Sequence, residues 1–366
     1  MSTVLKLLYT SQNSTGNIAF SGIGLYALLG AINVGLAGRS YDQLSYVLGE
    51  NFQEDFDRKI YKNSIYSSKW LNIHKLSNLG AVSTSILFHF CDLYQSYDQM
   101  ISFIFRVIKN KVDFSNPALF YSRKLNEWIS SQIYTSTINI VDESMIGYNR
   151  LIFINTMFYN ADWKTNFNTE NTKLEVFFDD KGQSYLVEMM NQETNERIYD
   201  VHHYFYRIMF KPLLGESLYS AIILPREGIK VDFVLKILNI NQFYNYFQQS
   251  SLKNVHLKLP KFKIISVNDF EKTLKIIGIA DIFNPRLANF SRMTSQIIYI
   301  ENLMQVSKMG AYELEDNRAV STEAMEYDSY SSIHEFNVNR PFLFFVYYLR
   351  DNLVLHTAVV THPPQV

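Results

Sequence analysis

Residues 304–366 decide the fold. They read MQVSKMGAYEL (304–314), EDNRAVSTEAMEYDSYSSIHE (315–335) and FNVNRPFLFFVYYLRDNLVLHTAVV (336–360), followed by a short tail. The first piece predicts a strand over 306–314. The second is polar and charged, with little that could enter a core. The third predicts two very apolar strands, 341–349 and 353–360, and Arg350-Asp351-Asn352 between them suits a hairpin turn. A long irregular connection between buried strands is unusual in a compact domain and is most often functional. The plain alternative is a surface insertion.

Working outward, 151–159 (LIFINTMFY) is a near-continuous apolar run of the kind a strand buried on both faces shows. Further strands are predicted over 219–224 and 255–259, and helices over 230–238 and 269–279. The first third reads helical: 25–36, a short amphipathic turn over 42–48, and 92–108, where Leu93, Tyr97, Ile101, Ile104, Phe105 and Ile108 share one helical face. Asn116-Pro117 suits a helix start, with the helix running over 119–134. Helices early and strands later describe an α+β domain. Only 8 prolines and 14 glycines punctuate the 366 residues, and no linker or repeat divides them, so a single domain over 1–366 is expected.

Composition narrows the function. Apolar residues make up 47% and charged residues 19%, which allows a large core. With 34 basic against 35 acidic residues the chain has no overall pull toward nucleic acid or membrane, and neither is expected as a partner. The apolar stretch 18–38 is broken by Ser21, Asn33 and five glycines, and reads as a buried helix rather than a membrane span. No signal-peptide pattern opens the chain, so a cytoplasmic protein is expected. The sequons Asn13-Ser14-Thr15 and Asn289-Phe290-Ser291 would matter only after secretion. The single cysteine, Cys91, lies in ILFHFCDLY and reads as an inert core thiol.

Enzyme motifs are missing. There is no Gly-rich phosphate loop, no G-x-S-x-G elbow and no H-E-x-x-H. The eight histidines form no pair at helical ligand spacing, and adjacent His202-His203 would face opposite sides of a strand. Neither catalysis nor a metal or cofactor is expected.

Phe336-Asn337-Val338-Asn339-Arg340-Pro341-Phe342-Leu343-Phe344-Phe345-Val346 resembles the signature of the serpin family. Other pieces resemble the family in order: 17–48 with Phe20-Ser21, Val112-Asp113-Phe114, Asn126-Glu127-Trp128, 155–167 with Trp163 and Phe167, Met189-Met190, 257–262 and 274–283. The single cysteine and the wording rich in Ile, Asn and Tyr are similar to intracellular serpins of poxviruses, which would imply modulation of a host process.

The resemblance implies eight or nine helices around three β-sheets, with an exposed reactive loop at about 318–335, and a monomer. It implies a suicide substrate: a serine protease, sometimes a cysteine protease, cleaves the loop and is trapped as the loop enters the central sheet as an added strand. The implied hinge is Ala319, Val320, Ser321, Thr322, Glu323 and Ala324, followed by Met325. Scissile-bond candidates are Tyr330, which suits a chymotrypsin-like protease, then Asp328 and Tyr327. The sheet-opening region would include Ser21, Asn155 and Trp163. Several residues depart from the pattern. Gly24 stands for a second small serine, Ser307 for a histidine, and Ala319-Val320 for the Gly-Thr that opens an inhibitory hinge. Counted from Ser307, that pair would instead fall on Asn317-Arg318. In the first register Glu326 and Asp328 would face inward on insertion; a slip of one residue would turn in Ser321, Glu323, Met325 and Tyr327. A serpin fold that serves as an interaction module or simple substrate is the alternative.

Overall fold

The computed structural model describes residues 2–51, 65–313 and 333–365. The implied hinge residues and the scissile-bond candidates Tyr327, Asp328 and Tyr330 lie outside them. In chain order the helices are α1 (Ser2–Ser11), α2 (Gly22–Asn33), α3 (Gly38–Leu48), α4 (Ile65–Ser77), α5 (Gln95–Phe103), α6 (Ala118–Gln132), α7 (Val231–Ile237), α8 (Phe243–Gln248) and α9 (Glu271–Ile276). The strands are β1 (Ile18–Ser21), β2 (Ala81–His89), β3 (Val107–Lys111), β4 (Arg150–Asn160), β5 (Lys173–Phe178), β6 (Ser184–Tyr199), β7 (Tyr206–Pro212), β8 (Leu218–Pro225), β9 (Ser251–Pro260), β10 (Phe262–Asp269), β11 (Tyr299–Ala311), β12 (His334–Asn337), β13 (Phe342–Tyr348) and β14 (Leu353–Val360).

The chain forms two compact units, each discontinuous in sequence: one of residues 1–20, 159–265 and 308–366, the other of 21–158 and 266–307. The first is built on a nine-stranded sheet in the order β1-β14-β13-β8-β7-β6-β9-β12, with β5 on β6. The expected C-terminal hairpin is there: β13 pairs antiparallel with β14 from Phe342↔Val360 to Tyr348↔Leu353. β13 is also flanked by β8, so it is a central strand, and its residues Phe342–Tyr347 are buried. That explains an apolar run without alternation. Two of the three expected sheets are one continuous ladder, because β6 is long enough to pair with β9 over Met189–Ile198 and with β7 from Arg197 to Tyr199.

The second unit holds most of a five-stranded sheet, β10-β11-β4-β2-β3. Helix α6 lays Tyr121, Leu125 and Ile129 against Ile86 and Phe88 of β2, Ile152 and Ile154 of β4, and Met304 and Val306 of β11. Asn126 on the same helix donates to the Val141 carbonyl (2.9 Å) and accepts from the amides of Ile140 and Val141 (2.9 Å each), which secures the chain beyond the helix. Helix α2 is buried on nearly every face. Its apolar wording therefore reflects the core, and among the described residues no helix is long and apolar enough to cross a membrane.

Three expectations need correction. The helix expected over 92–108 is α5 alone. Arg106 takes φ +54, and residues from Val107 onward, Ile108 included, pair as β3 with β2. The helix expected over 269–279 is the short α9. His202 and His203 sit in an exposed turn, not on a strand.

Candidate functional site

Ser21 ends β1 and caps α2: with extended backbone, its hydroxyl accepts from the Gly24 amide (3.1 Å). This is a normal serine N-cap, which satisfies one of the donors a helix start leaves open. Beside it lie Asn155 of β4 and Gln305 of β11, both buried. Gln305 uses every hydrogen-bonding capacity of its amide. Its Nε2 donates to the Ser21 carbonyl (2.9 Å) and to Asn155 Oδ1 (2.8 Å). Its Oε1 accepts from the Ser21 amide (2.8 Å) and from the Ser307 hydroxyl (3.3 Å). Asn155 Nδ2 reaches Ser83 Oγ (3.2 Å), Ser85 Oγ (3.1 Å) and the Thr84 carbonyl (3.3 Å). One polar joint thus ties β11, β4 and β2 to the start of α2.

Two departures noted in the sequence take on a physical meaning here. A Cβ at Gly24 would stand 2.7 Å from Asn155 Oδ1 and 3.0 Å from Ser21 Oγ, so a second serine would require these side chains to shift. The histidine was expected at Ser307; the residue that holds this joint is Gln305, two positions earlier. Ser307, two residues on and on the same buried face, only supports it. Gln305 went unnoticed in the sequence because a lone glutamine inside an apolar strand carries no motif; only the ladder brings it to Ser21 and Asn155.

Trp163, the third residue expected here, belongs to the other unit and shares no partner with Ser21 or Asn155. It bridges to Leu213, packs edge-on against Phe167 and Phe344, and lies 5.6 Å from Lys211 Nζ. That ammonium is fully buried and bonds Glu196 (3.0 Å) and Gln192 (2.8 Å). Burial pushes the Glu196 carboxyl up, and Lys211 offsets part of that rise.

Both ends of the undescribed stretch 314–332 are anchored. Before it, buried Glu313 pairs with Lys261 (3.0 Å) and accepts from the Thr172 hydroxyl (2.7 Å). Burial alone would lower the Lys261 pKa, but the carboxylates of Glu313 and Glu188 outweigh it and hold the ammonium above its ordinary value. After it, β12 runs parallel to β9 from His334↔Val255 to Asn337↔Lys258. Phe336 is buried there with the Arg207 guanidinium 4.9 Å above its ring. Cys91 is buried, and burial pushes its thiol up to about 11. It is a packed thiol, not a thiolate nucleophile.

The serpin (serine protease inhibitor) family model matches residues 2–363. Human glia-derived nexin is 27% identical over 357 residues, covering 95% of this chain and 88% of that protein. Human serpin B3 is 26% identical, covering 96% and 95%. Among solved structures, native protease nexin-1 with heparin superposes with a TM-score of 0.84 at 24% identity, over 99% of this chain and 96% of that one. Serpin-12 of Manduca sexta gives 0.82 at 17% identity, over 99% and 97%. These relatives are animal proteins and lend nothing to the poxvirus likeness. A family match over residues 2–363, with the expected α+β architecture of helices and sheets beneath it, makes this chain a member of the serpin family.

Proposed function

We propose that this serpin inhibits a serine protease by offering the loop that follows β11, at about residues 318–335, as a cleavable bait that then enters the five-stranded sheet. The observation that carries this reading is the joint at Gln305. The bait follows directly from β11, and β11 is paired on both sides, with β10 and β4. A strand added beside β11 must part it from a neighbour. On the β4 side, beside the backbone ladder itself, the joint contributes an amide–amide hydrogen bond from Gln305 to Asn155. Such a bond is worth about 1 kcal/mol net and can be exchanged for new ladder bonds.

Taking Gln305 as the residue in the histidine's place also moves the hinge count back by two, from Asn317-Arg318 to Glu315-Asp316. By the family's spacing a hinge at Ala319 places the scissile bond near Ile333, and the same spacing from Glu315 places it at Ser329. Counted back from Pro341 it falls at Tyr330. The two counts, three residues apart with a hinge at Ala319, now agree within one. This supports cleavage next to Tyr330, by a protease with a pocket for an aromatic side chain.

The same register favours a second reading, a serpin that is cleaved without inhibiting. Alternate residues from Asp316 would turn inward: Asp316, Arg318, Val320, Thr322, Ala324, Glu326 and Asp328. Asp316 and Arg318 can neutralise each other, but Glu326 and Asp328 cannot. Burying an unpaired carboxylate costs several kcal/mol.

The test is to incubate the protein with a chymotrypsin-like protease, resolve the products on denaturing gels and melt the cleaved protein. A protease-linked band resistant to SDS, a cut beside Tyr330 and a large rise in Tm support inhibition. Clean cleavage with no linked band and an unchanged Tm supports the second reading.

A further inference from the structure

The turn between β5 and β6 and the segment after β14 bring together two adjacent carboxylates, Asp179 and Asp180, and an imidazole far along the chain, His362. We propose that they form a binding site for a transition-type divalent cation such as Zn²⁺.

The site is built, not incidental. Asp179 Oδ1 is occupied by the amides of Lys181 and Gln183 (2.8 Å each), which leaves Oδ2 facing His362 Nε2 at 3.4 Å. Asp180 Oδ1 faces the same nitrogen at 3.4 Å. The imidazole is held from behind. Its Nδ1 lies 2.7 Å from the Thr361 hydroxyl, which in turn reaches Asn17 Oδ1 (3.3 Å). Asn17 also accepts from the His362 amide (2.9 Å) and donates to its carbonyl (2.7 Å). With Nδ1 against the Thr361 hydroxyl, Nε2 is left facing the two carboxylates, and a divalent cation could sit between the three groups. A hydroxyl partner on the remote nitrogen is also what orients a metal-binding histidine.

A second set of atoms points the same way. Both oxygens of Asp180 and the hydroxyls of Tyr9 and Tyr185 are buried without a hydrogen-bond partner among the described residues. Tyr9 is 1% exposed and lines the same cavity as Asp179 and Asp180. The charge of Asp180 adds to burial in raising the pKa of both tyrosines. Buried polar groups are nearly always paired, so orphans gathered around one carboxylate indicate a missing ion and its water. Arg340, on the cavity wall, is engaged elsewhere, with the Pro225 carbonyl (2.9 Å) and Asn339 Oδ1 (3.0 Å).

The distances also accommodate a metal. A charge-assisted N–H···O bond spans about 2.7–2.9 Å. Ligands bound at about 2.0–2.1 Å around a tetrahedral metal stand roughly 3.3–3.4 Å apart, as His362 Nε2 does from both carboxylates. One imidazole with two carboxylates suits zinc better than calcium or magnesium, which favour all-oxygen shells. The remaining position opens to the cavity beside Tyr9.

The experiment is calorimetric titration of chelator-treated full-length protein with zinc chloride, with thermal melts alongside. One zinc per chain and a raised Tm are expected, with no such rise from magnesium or calcium. Asp180→Asn and His362→Gln should each weaken binding at least tenfold, and circular dichroism verifies that both variants fold. Without metal, Asp180→Asn should melt no lower than the wild type, since it removes an uncompensated carboxylate. Replacing His202 and His203 should leave the stoichiometry unchanged. The proposal is overturned by absence of stoichiometric binding or by binding that survives both substitutions. A metal-free loss of stability in Asp180→Asn would also overturn it, since that marks an ion pair with His362.

Discussion

Replacing Gln305 with alanine removes hydrogen bonds to four buried groups at once: the Ser21 amide, the Ser21 carbonyl, Asn155 Oδ1 and the Ser307 hydroxyl. Leaving a buried donor or acceptor unpaired costs about 1–3 kcal/mol each before relaxation, so a loss of roughly 2–4 kcal/mol is expected by urea unfolding. Gly24→Ala should also destabilise, by about 1–3 kcal/mol, because the new methyl crowds the side chains of Asn155 and Ser21, which the hydrogen bonds of the joint hold in place. His356 is a different kind of residue. It is buried on β14 with its ring 5.7 Å from that of Tyr159, and burial pushes its pKa from 6.5 down to about 3. Between those values the unfolded chain binds the proton and the folded one does not. Stability is therefore fully present above about pH 6.5 and falls as the pH drops toward 3. At about 1.4 kcal/mol per unit, acidification from pH 7 to 5 should cost roughly 2 kcal/mol through this residue. His356→Phe should flatten that part of the profile, and unchanged pH dependence in the variant would refute the assignment.

At the scale of elements, β6 and β7 share the Glu196–Lys211 pair, which has essentially no exposure to water. Breaking it should hurt more than removing it. Lys211→Met leaves a buried carboxylate unpartnered and should cost about 3–5 kcal/mol, whereas Lys211→Met combined with Glu196→Leu should recover much of that. Denaturant midpoints of the two variants decide the matter; equal losses would mean that the lysine acts through its packing on Trp163 and Phe167 alone. Elements also show where reading by pattern works. The runs 151–159 and 341–349 were legible as strands because both their faces are buried. β6 was not predicted, since its charged residues Glu188, Glu193, Glu196 and Arg197 break any simple alternation. The helix expected over 92–108 ran into β3 because Ile108 continued the helical spacing while belonging to a strand.

For the whole molecule, the expected consequence of the proposed register is a partition between two outcomes after cleavage. Inward charges slow insertion and favour release of the protease. Replacing Glu326 and Asp328 with alanine should raise the fraction of protease caught in SDS-stable complex at the expense of cleaved free protein, read by gel densitometry. No change in that partition would mean that these side chains do not enter the sheet, and a one-residue slip would become the better register.

Local wording by itself determined the family and the two C-terminal strands, since these rest on motifs and apolar runs of residues adjacent in the chain. It also marked Ser21 and Asn155. Tertiary structure alone decided that Gln305 completes their joint, that Trp163 packs against Phe167 and Phe344, and that Asp179 and Asp180 meet His362. The physical reason is common to all three. A hydrogen bond, a ring contact or a ligand set depends on which strands the ladder places side by side, and separations such as those of residue 21 from 305 and 180 from 362 leave no period in the sequence to read.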